Sequence, residues 1–209
     1  MLRLLLVRHG ETDWNATGRY QGQNDIPLNA IGERQAKAVA ERLAAERLDA
    51  VYASDLLRAW ETAQAIADPH GLEVRADVRL REMNYGDWQG LTYREIVEQA
   101  PEALAAWNAD RLHNTPPGGE SLLELAYRTQ SVMDEIRATH PEGTVALASH
   151  GGTVRMILCV LLERSPASYW QFEMDNTAVS EIEFQDRGPV IIRWNDTQHL
   201  RDGHRQSVF

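Results

Sequence analysis

The sequence predicts an α/β protein, a three-layer α/β/α sandwich with a mostly parallel central sheet. Short apolar runs alternate with stretches in which apolar residues recur at i, i+3, i+4 and i+7, the spacings of buried strands and amphipathic helices. Two of the apolar runs end in segments that combine histidine with glycine, at residues 8–10 and 149–152. Since parallel strands need crossover helices between them, this alternation favours a sheet covered by helices.

The N-terminal part of the chain carries a β-α-β-α-β alternation. Leu2–Val7 is an almost wholly apolar run, typical of a strand that is buried on both faces. Further strands are predicted at Ala50–Ala53 and Leu72–Ala76, the second of them after a helix stop at Asp68–Gly71. The apolar stripes of the two intervening helices are Ala36, Val39, Ala40, Leu43 and Ala44 in the first, and Ala59, Trp60, Ala63, Ile66 and Ala67 in the second.

The middle of the chain is predicted to form a helical insertion over the sheet and its active site, from about residue 92 to about residue 119. Thr92 and Glu95 have the spacing of a capping box, and Pro101 opens a second short helix that continues to about Leu112. The segment Pro116–Gly119 then ends the insertion, because its prolines and glycines interrupt regular structure.

The C-terminal part completes the sheet. Ser121 and Glu124 form a second capping box. The elements predicted after it are a helix to about Ala138, a buried strand at Thr144–Ala148, an apolar helix at Thr153–Leu162, and a closing hairpin of Val179–Phe184 with Val190–Trp194. Residues from about 196 to 209 are predicted to be a polar tail, and the sequence favours a single domain over residues 1–209.

Composition and charge exclude several classes of protein. The 209 residues include 21 Lys+Arg and 31 Asp+Glu, a formal net charge of −10, which argues against nucleic acid and anionic membranes as partners. The longest apolar run, Met156–Leu162, is far shorter than the roughly 20 residues of a membrane span. Arg8 and His9 interrupt the N-terminal apolar run before a signal sequence could form, so a cytoplasmic location is expected. A small molecule is the expected partner, and a homodimer is left open.

Cysteine and histidine usage gives no sign of a metal centre. Cys159 is the single cysteine, which excludes an intramolecular disulfide and a cysteine-based cluster, and its apolar helix favours a core position. His199 and His204 in the polar tail have no evident third ligand nearby, so they are expected to be solvated.

Polar side chains with catalytic potential follow the predicted strands, at the sheet edge where ligands bind in open α/β proteins. The candidates are Arg8 and His9 after the first strand, Arg58 just inside the helix after the second, Glu82 after Leu80, and His150 after the fourth strand. A sheet would bring these distant segments together. Two arginines, two histidines and one carboxylate suit a phosphoryl group.

Each residue type in this set has a function in phosphoryl transfer. Guanidinium groups bind phosphate oxygens bidentately, imidazole is a competent nucleophile at neutral pH, and a carboxylic acid can protonate the leaving oxygen. Gly10, Gly151 and Gly152 lie beside the two histidines. They are expected to let the backbone approach a ligand closely, and the helix that follows would add amide donors.

The motifs around these residues resemble those of the histidine phosphatase superfamily, the phosphoglycerate-mutase-like proteins. The N-terminal signature is LVRHGETDWN at residues 6–15, followed by Tyr20–Gly22 and Leu28–Gly32. The later blocks, in the same order as in the family, are Ser54–Ala59, Leu80–Gly90, Pro117–Ser121 and Ala148–Gly151. The resemblance covers residues 2–195 and implies the same layered fold.

The resemblance also implies a role for each candidate residue. His9 would attack phosphorus and become a phosphohistidine, and Glu82 would act first as acid and then as base. Arg8, Arg58 and His150 would hold the transferring phosphoryl group. Further phosphate and substrate contacts would come from Asn15, Gln21, Gly22 and the amide of Gly151. For these roles His9 must be neutral, Glu82 must be protonated and His150 is most useful charged, and neither a metal nor another cofactor is implied.

Departures from the mutase pattern favour a phosphatase. True mutases of the family carry an arginine after the acid-base glutamate, where this chain has Met83 and Asn84. The segment Leu91–Ile96 also lacks the lysine that mutases have there. The sequence therefore favours a metal-independent hydrolase of small phosphomonoesters. A phosphoglycerate mutase and a non-catalytic phospholigand-binding module are the alternatives, and a phosphoprotein substrate fits poorly with a pocket bounded by the insertion.

The tryptophans divide between core and pocket. Trp60 lies on a helical stripe and is expected in the core. Trp14 and Trp88 lie in motif loops and could face a substrate, and Trp14 with Trp107 could form an apolar wall around the leaving group.

Overall fold

A six-stranded sheet lies at the centre of the protein in a computed structural model, which describes residues 1–200. Its strands are β1 (Leu2–Arg8), β2 (Ala50–Ala53), β3 (Val74–Ala76), β4 (Gly143–Ser149), β5 (Val179–Gln185) and β6 (Gly188–Asp196). They are arranged in the order β3-β2-β4-β1-β5-β6. The pairs β1–β4, β2–β4 and β2–β3 are parallel, whereas β5 pairs antiparallel with β1 and with β6. The predicted mostly parallel sheet is confirmed in part: three of these five pairings are parallel, and the closing hairpin adds two antiparallel ones.

Helices connect the strands. The α-helices of the described residues are α1 (Asp13–Ala16), α2 (Ala30–Leu43), α3 (Leu57–Ala67), α4 (Tyr93–Gln99), α5 (Pro101–Ala109), α6 (Leu122–Thr139) and α7 (Gly151–Leu161). Turns of 3-10 helix occur at Asp68–His70, Val78–Leu80, Gly86–Trp88 and Pro166–Gln171. Within residues 1–200, none of the helices has the length and apolar character to cross a bilayer.

Side-chain caps determine where several helices begin. Both predicted capping boxes form, at the starts of α4 and α6. A third capping box, Thr12 with Asn15, begins α1, which apolar periodicity does not reveal because a single turn is too short to carry a stripe. Strand β3 and helix α5 are shorter than predicted: β3 begins at Val74 and α5 ends at Ala109.

Alternate residues of β1 enter opposite faces of the sheet and build two cores. Leu4 and Leu6 pack with apolar residues of α6 and α7, while Leu5 and Val7 pack with those of α2 and α3. All four side chains are at most 2% exposed. Since a strand side chain alternates between faces, burial on both sides requires a helical layer on each. The predicted three-layer sandwich is confirmed.

A third apolar cluster holds α4 and α5 against α6 and α7. Trp88 is buried in it, with its ring centroid 5.4 Å from that of Trp107 in an edge-to-face arrangement. The expectation that Trp88 faces a substrate is wrong, because this cluster encloses its side chain. Cys159 lies in the same cluster, as predicted, and burial raises the pKa of its thiol to about 11. Trp60 is only half-buried and lies outside the three clusters, contrary to expectation.

The start of the predicted polar tail packs on helix α2. The carboxylate of Asp196 accepts a hydrogen bond from Arg42 Nη2 at 2.6 Å. His199 is half-buried, with its Nδ1 3.1 Å from Arg42 Nη1, so the expectation that it is solvated is wrong. His204 and the rest of residues 201–209 lie outside the described residues.

Two glycines let the loop after β1 touch the start of α2. A Cβ atom on Gly10 would lie 2.5 Å from the carbonyl oxygen of Gly32, and one on Gly32 would collide with the carbonyl oxygen of Glu11. Both obstacles are backbone, which cannot rotate away.

We therefore expect Gly32→Ala to lower the free energy of unfolding by about 1–3 kcal/mol, the usual cost of overpacking. The sign of this change is informative, because a glycine-to-alanine substitution at an open helix position would instead raise the free energy of unfolding by about 1 kcal/mol. Urea denaturation measures the change. Arg34→Ala, at an exposed position of the same helix, is the control and should change stability by less than about 0.5 kcal/mol. A Gly32→Ala protein as stable as the wild type would contradict the contact.

Candidate active site

A pocket of about 270 Å³ opens at the carboxyl edge of the parallel strands. Arg8 is the last residue of β1 and pairs in register with Ser149, the last residue of β4. This register places His9 and His150 side by side, with ring centroids 5.1 Å apart. The sequence-predicted residues that line the pocket are Arg8, His9, Asn15, Gln21, Gly22, Arg58, Glu82 and Gly151. His150 is fully buried behind this lining and reaches the site through its contact with His9.

His9 is held in the form that a nucleophile needs. Its Nδ1 lies 2.6 Å from the carbonyl oxygen of Gly10, and because a carbonyl only accepts, Nδ1 carries the proton and Nε2 keeps its lone pair. Burial, followed by the charges of Arg58 and Arg8, holds the pKa of His9 well below its usual range. His9 is therefore neutral at physiological pH.

Arg8 and Arg58 bring two positive charges into the interior. Arg8 Nη1 donates to the carbonyl of Met174 at 2.6 Å. Arg58 Nη1 and Nη2 donate to the carbonyls of Asn24 and Gly22 at 2.8 and 2.7 Å. Burial lowers the pKa of each guanidinium to about 10, so both remain charged at neutral pH. The carbonyls that accept from these groups are neutral and do not cancel the charge, and both Nε atoms are buried without a partner among residues 1–200. This end of the pocket is therefore a strong anion site.

The surroundings of His150 favour its neutral form. Neither of its ring nitrogens has a hydrogen-bond partner among the described residues. Burial is the main cause that holds the pKa of His150 well below its usual range, and the charge of Arg58 adds to it. His150 is therefore neutral in these surroundings, whereas the expectation that it is charged concerns its role beside a phosphoryl group and stays a prediction. A phosphoryl dianion beside it would act in the opposite direction and favour the imidazolium form.

Glu82 reaches the pocket from an irregular segment. It follows the 3-10 turn Val78–Leu80 and not a strand, so the strand-end reasoning does not account for its position. Its Oε1 accepts from the amides of Met83 and Thr153 at 2.8 and 3.2 Å, and its Oε2 accepts from the amide of Gly152 at 3.0 Å. The carboxylate thus lies at the N-terminus of α7, the end of a helix that favours negative charge.

The glycines beside the histidines have different functions from those expected. Gly152 makes room for Glu82, since a Cβ atom there would lie 2.5 Å from Glu82 Oε1. Gly10 packs against the backbone of Gly32. Gly151 lines the pocket, and a Cβ atom on it would lie 3.5 Å from its nearest neighbour, Arg8 Nε. It has neither the close backbone neighbour of Gly10 nor the close carboxylate neighbour of Gly152.

The remaining predicted contacts are held by local structure. Asn15 Oδ1 accepts from the amide and hydroxyl of Thr12 at 3.1 Å each, which leaves its NH₂ group for the pocket. Gln21 is buried in the lining, and its Oε1 has no partner among residues 1–200. Gly22 has a φ of +52°, a conformation that glycine adopts readily, and its carbonyl accepts a hydrogen bond from Arg58.

Most residues of the outer wall of the pocket are ones that the sequence does not predict to lie there. Trp14 and Trp107 line it as predicted. The unpredicted residues are Arg19, Tyr20, Tyr85, Tyr93, Arg111, Arg155 and Tyr169. Arg155 has a signal in the sequence, because it lies at i+4 from Gly151 and hence on the same face of α7. Arg111 follows the end of α5, where no periodicity applies.

Within residues 1–200, no group of three or more His, Cys, Asp or Glu side chains is arranged to hold a metal ion.

Fold and site together define the class of protein. A neutral imidazole beside two buried guanidiniums, at the carboxyl edge of a parallel sheet, is suited to an enzyme that transfers phosphoryl groups. The chain belongs to the histidine phosphatase superfamily (branch 1), whose family model matches residues 4–197. The resemblance drawn from the sequence motifs is confirmed.

Relatives over the full length agree with this family. Phosphoserine phosphatase 1 of Hydrogenobacter thermophilus is 38% identical over 96% of this chain and 95% of its own. Phosphoglycerate mutase-like protein 4 of Arabidopsis thaliana is 42% identical over 99% and 90%. Among solved structures, phosphoserine phosphatase of Entamoeba histolytica, a mutant in complex with phosphoserine, superimposes with a TM-score of 0.86 at 30% identity, covering 96% of this chain and 100% of that one.

The depressed pKa of buried His150 gives the stability a pH dependence. His150 binds a proton in the unfolded chain below about pH 6.5 but not in the folded protein, so its contribution to stability is lost as the pH falls. We expect His150→Asn to reduce the slope of unfolding free energy against pH by up to about 1.4 kcal/mol per pH unit below about pH 6. Urea denaturation from pH 7 to 5 measures it.

The control for this titration is His113→Asn, since that side chain is 64% exposed. For His113→Asn, the slope of unfolding free energy against pH should match that of the wild type. A His150→Asn slope equal to the wild-type slope would contradict a neutral, buried His150.

Proposed function

We propose that this protein is a metal-independent phosphatase, which hydrolyses small phosphomonoesters through a phosphohistidine on His9. The observation that carries the proposal is the state of His9, a neutral imidazole with a proton fixed on Nδ1 beside Arg8 and Arg58. Relatives that are named as phosphatases support the same reaction.

The first half of the reaction uses His9 and Glu82. The Nε2 lone pair of His9 forms a bond to phosphorus, and the bond between phosphorus and the ester oxygen breaks. Protonated Glu82 gives its proton to the departing oxygen, which leaves as an alcohol. Arg8 and Arg58 stabilise the charge on the equatorial oxygens, a task that metal ions perform at many phosphoryl-transfer sites.

The second half restores the enzyme. The carboxylate of Glu82 takes a proton from water, whose oxygen attacks phosphorus as the bond to His9 Nε2 breaks. Inorganic phosphate leaves, His9 is again neutral, and Glu82 is again protonated. The hydrogen bonds between Glu82 and the amides of Gly152 and Thr153 hold its carboxylate form at the helix terminus during this step.

Two positions favour hydrolysis of the phosphate ester over the isomerisation that a mutase catalyses. Met83 is buried in the third apolar cluster, and Asn84 Oδ1 accepts from the amide of Gly86 at 2.9 Å. Neither residue brings a cation to the pocket at the position where mutases carry an arginine.

A mutase remains the second candidate, because one close relative is named a phosphoglycerate mutase-like protein. The assay that separates them is isomerisation of 3-phosphoglycerate in the presence of its bisphosphorylated primer. Phosphate release without isomerisation supports the phosphatase.

The outer pocket favours a leaving group with a carboxylate. Arg19 is paired with Glu95 at 3.0 Å, whereas Arg111 binds neutral Asn108 and its guanidinium stacks 4.3 Å from the Trp107 ring centroid. Arg155 Nε is buried without a partner among the described residues. A phosphoryl dianion would balance the two arginines beside His9, which leaves these two cations for a second anionic group. Phosphoserine, the substrate named for two relatives, carries such a carboxylate.

We expect His9→Ala to abolish turnover and the phosphoenzyme together. The wild type, mixed with radiolabelled phosphomonoester in the presence of a chelator and quenched in alkali, should retain label as phosphohistidine. His113→Ala changes an exposed histidine and should leave both signals intact. Turnover or labelling that survives in His9→Ala would move the nucleophile elsewhere.

We also expect Arg111→Met and Arg155→Met to discriminate between two substrates that differ by one carboxylate. Each substitution should lower kcat/KM for phosphoserine by roughly 10- to 100-fold, the value of a charge-assisted hydrogen bond, and should change kcat/KM for phosphoethanolamine by less than about 3-fold. Arg94→Met, at a position 88% exposed on α4, is the control. Equal losses on both substrates would contradict recognition of a carboxylate.

A further inference from the structure

The segment that carries Glu82 is bound by one guanidinium at three of its carbonyls. Single hydrogen bonds from Ser149, Thr153 and Gln23 also reach carbonyls of this stretch. Residues 81–85 are neither helix nor strand, so their carbonyls have no regular partners. Arg128 of α6 donates from Nη1 to the carbonyls of Arg79 and Arg81 at 2.7 and 2.6 Å. Its Nη2 donates to the carbonyl of Glu82 itself at 3.0 Å. Three carbonyls that lead into the acid-base residue thus converge on one side chain.

Glu120 fixes that guanidinium and the other end of the segment. Its two oxygens accept from Arg128 Nε at 3.0 Å and from Nη2 at 2.6 Å. Glu120 Oε1 also accepts from the amide of Asn84 at 2.7 Å, and the amide of Glu120 donates to the carbonyl of Asn84 at 2.9 Å. The two side chains are 18% and 15% exposed, so the pair is largely shielded from water.

The pair lies outside the pocket lining, and its hydrogen bonds reach the lining at Glu82. The carboxylate is attached to α7 by the amides of Gly152 and Thr153, whereas its own backbone is attached to α6 by Arg128. Arg128 bridges three carbonyls of this stretch, whereas Gln23 and Thr153 each bind one, so its loss would allow the carboxyl group to pivot about its attachment to α7. A shift of about 1 Å in a proton-transfer group can cost on the order of 100-fold in rate.

We propose that Arg128 and Glu120 are a positioning pair, which sets the carboxyl group of Glu82 at the leaving oxygen of the substrate. The inference rests on the function proposed above, in which Glu82 is the acid. A positioning role for this pair differs from a purely structural role in one measurable respect. A displaced acid slows only those substrates whose leaving oxygen needs a proton, whereas partial unfolding slows every substrate equally.

The experiment compares kcat/KM for phosphoserine, whose alkoxide is a poor leaving group, with kcat/KM for 4-nitrophenyl phosphate, whose phenolate leaves without assistance. The ratio kcat/KM includes only the steps up to formation of the phosphoenzyme. The later hydrolysis of the phosphoenzyme, which both substrates share, therefore does not mask the difference between their rates of phosphoryl transfer. Glu82→Gln defines the full effect of a lost acid, which we expect to be about 100-fold or more on phosphoserine and under about 5-fold on 4-nitrophenyl phosphate.

We expect Arg128→Met to reproduce this selective loss, at about 30-fold or more on phosphoserine. Glu120→Gln keeps the shape and one acceptor and should retain activity within about 5-fold, while Glu120→Ala should follow Arg128→Met. Arg3→Met removes an ion-paired arginine at the opposite end of β1 and serves as the control. If Arg128→Met does not fold, Arg128→Lys, which cannot reach all three carbonyls, takes its place.

The outcomes separate the proposals. Selective loss in both Glu82→Gln and Arg128→Met supports the positioning pair. Equal losses on both substrates in the Arg128 variants, beside a selective Glu82→Gln, overturn the pair and leave the proposed function intact. A wild type that hydrolyses neither compound overturns the proposed function and the pair with it.

Discussion

The burial of two guanidinium groups beside one imidazole is the constraint on which the rest of the site depends. Removing a charge from water is costly, and Arg8 and Arg58 are at most 9% exposed. The backbone carbonyls that accept from them are neutral, and both Nε atoms lack a partner among residues 1–200, so an anion such as a phosphoryl dianion is a natural counter-ion. The same charges, together with burial, lower the pKa of His9 and keep its lone pair free. In the proposed reaction, one arrangement therefore supplies both the affinity for the anion and the reactive form of the nucleophile.

This constraint explains much of the surrounding backbone. Carbonyls can meet Arg58 only if the loop through Gly22 and Asn24 turns inward, and Gly22 adopts a positive φ there. A Cβ atom at Gly22 would collide with the side chain of Gln89, which in turn accepts from the amide of Gln23 at 2.7 Å. The loops of the site are thus packed against one another, and the third apolar cluster attaches them to the sandwich.

The nucleophile and the acid of the proposed reaction are positioned in different ways. His9 and Arg8 lie at the end of a strand, whose register with β4 determines where they point. Glu82 has no such support, and its place depends on hydrogen bonds from α6 and α7. An acid that must gain and lose a proton in each cycle is attached at both ends by neutral amides and one guanidinium. His9, the nucleophile of the proposed reaction, directly follows β1, whose residues are nearly all buried.

The amino-acid sequence alone predicts the layers, the order of most elements and five of the side chains that meet around the pocket. Apolar periodicity reports burial directly, and capping boxes at Thr92 and Ser121 are local hydrogen bonds that need no tertiary context. Tertiary structure alone decided the inward orientation of Trp88, the packing of His199 on α2, the neutral state of His150, and the arrival of Arg111 in the pocket. These depend on which segments meet across the fold, and burial, charge and contact between distant segments leave no periodic signal in the chain.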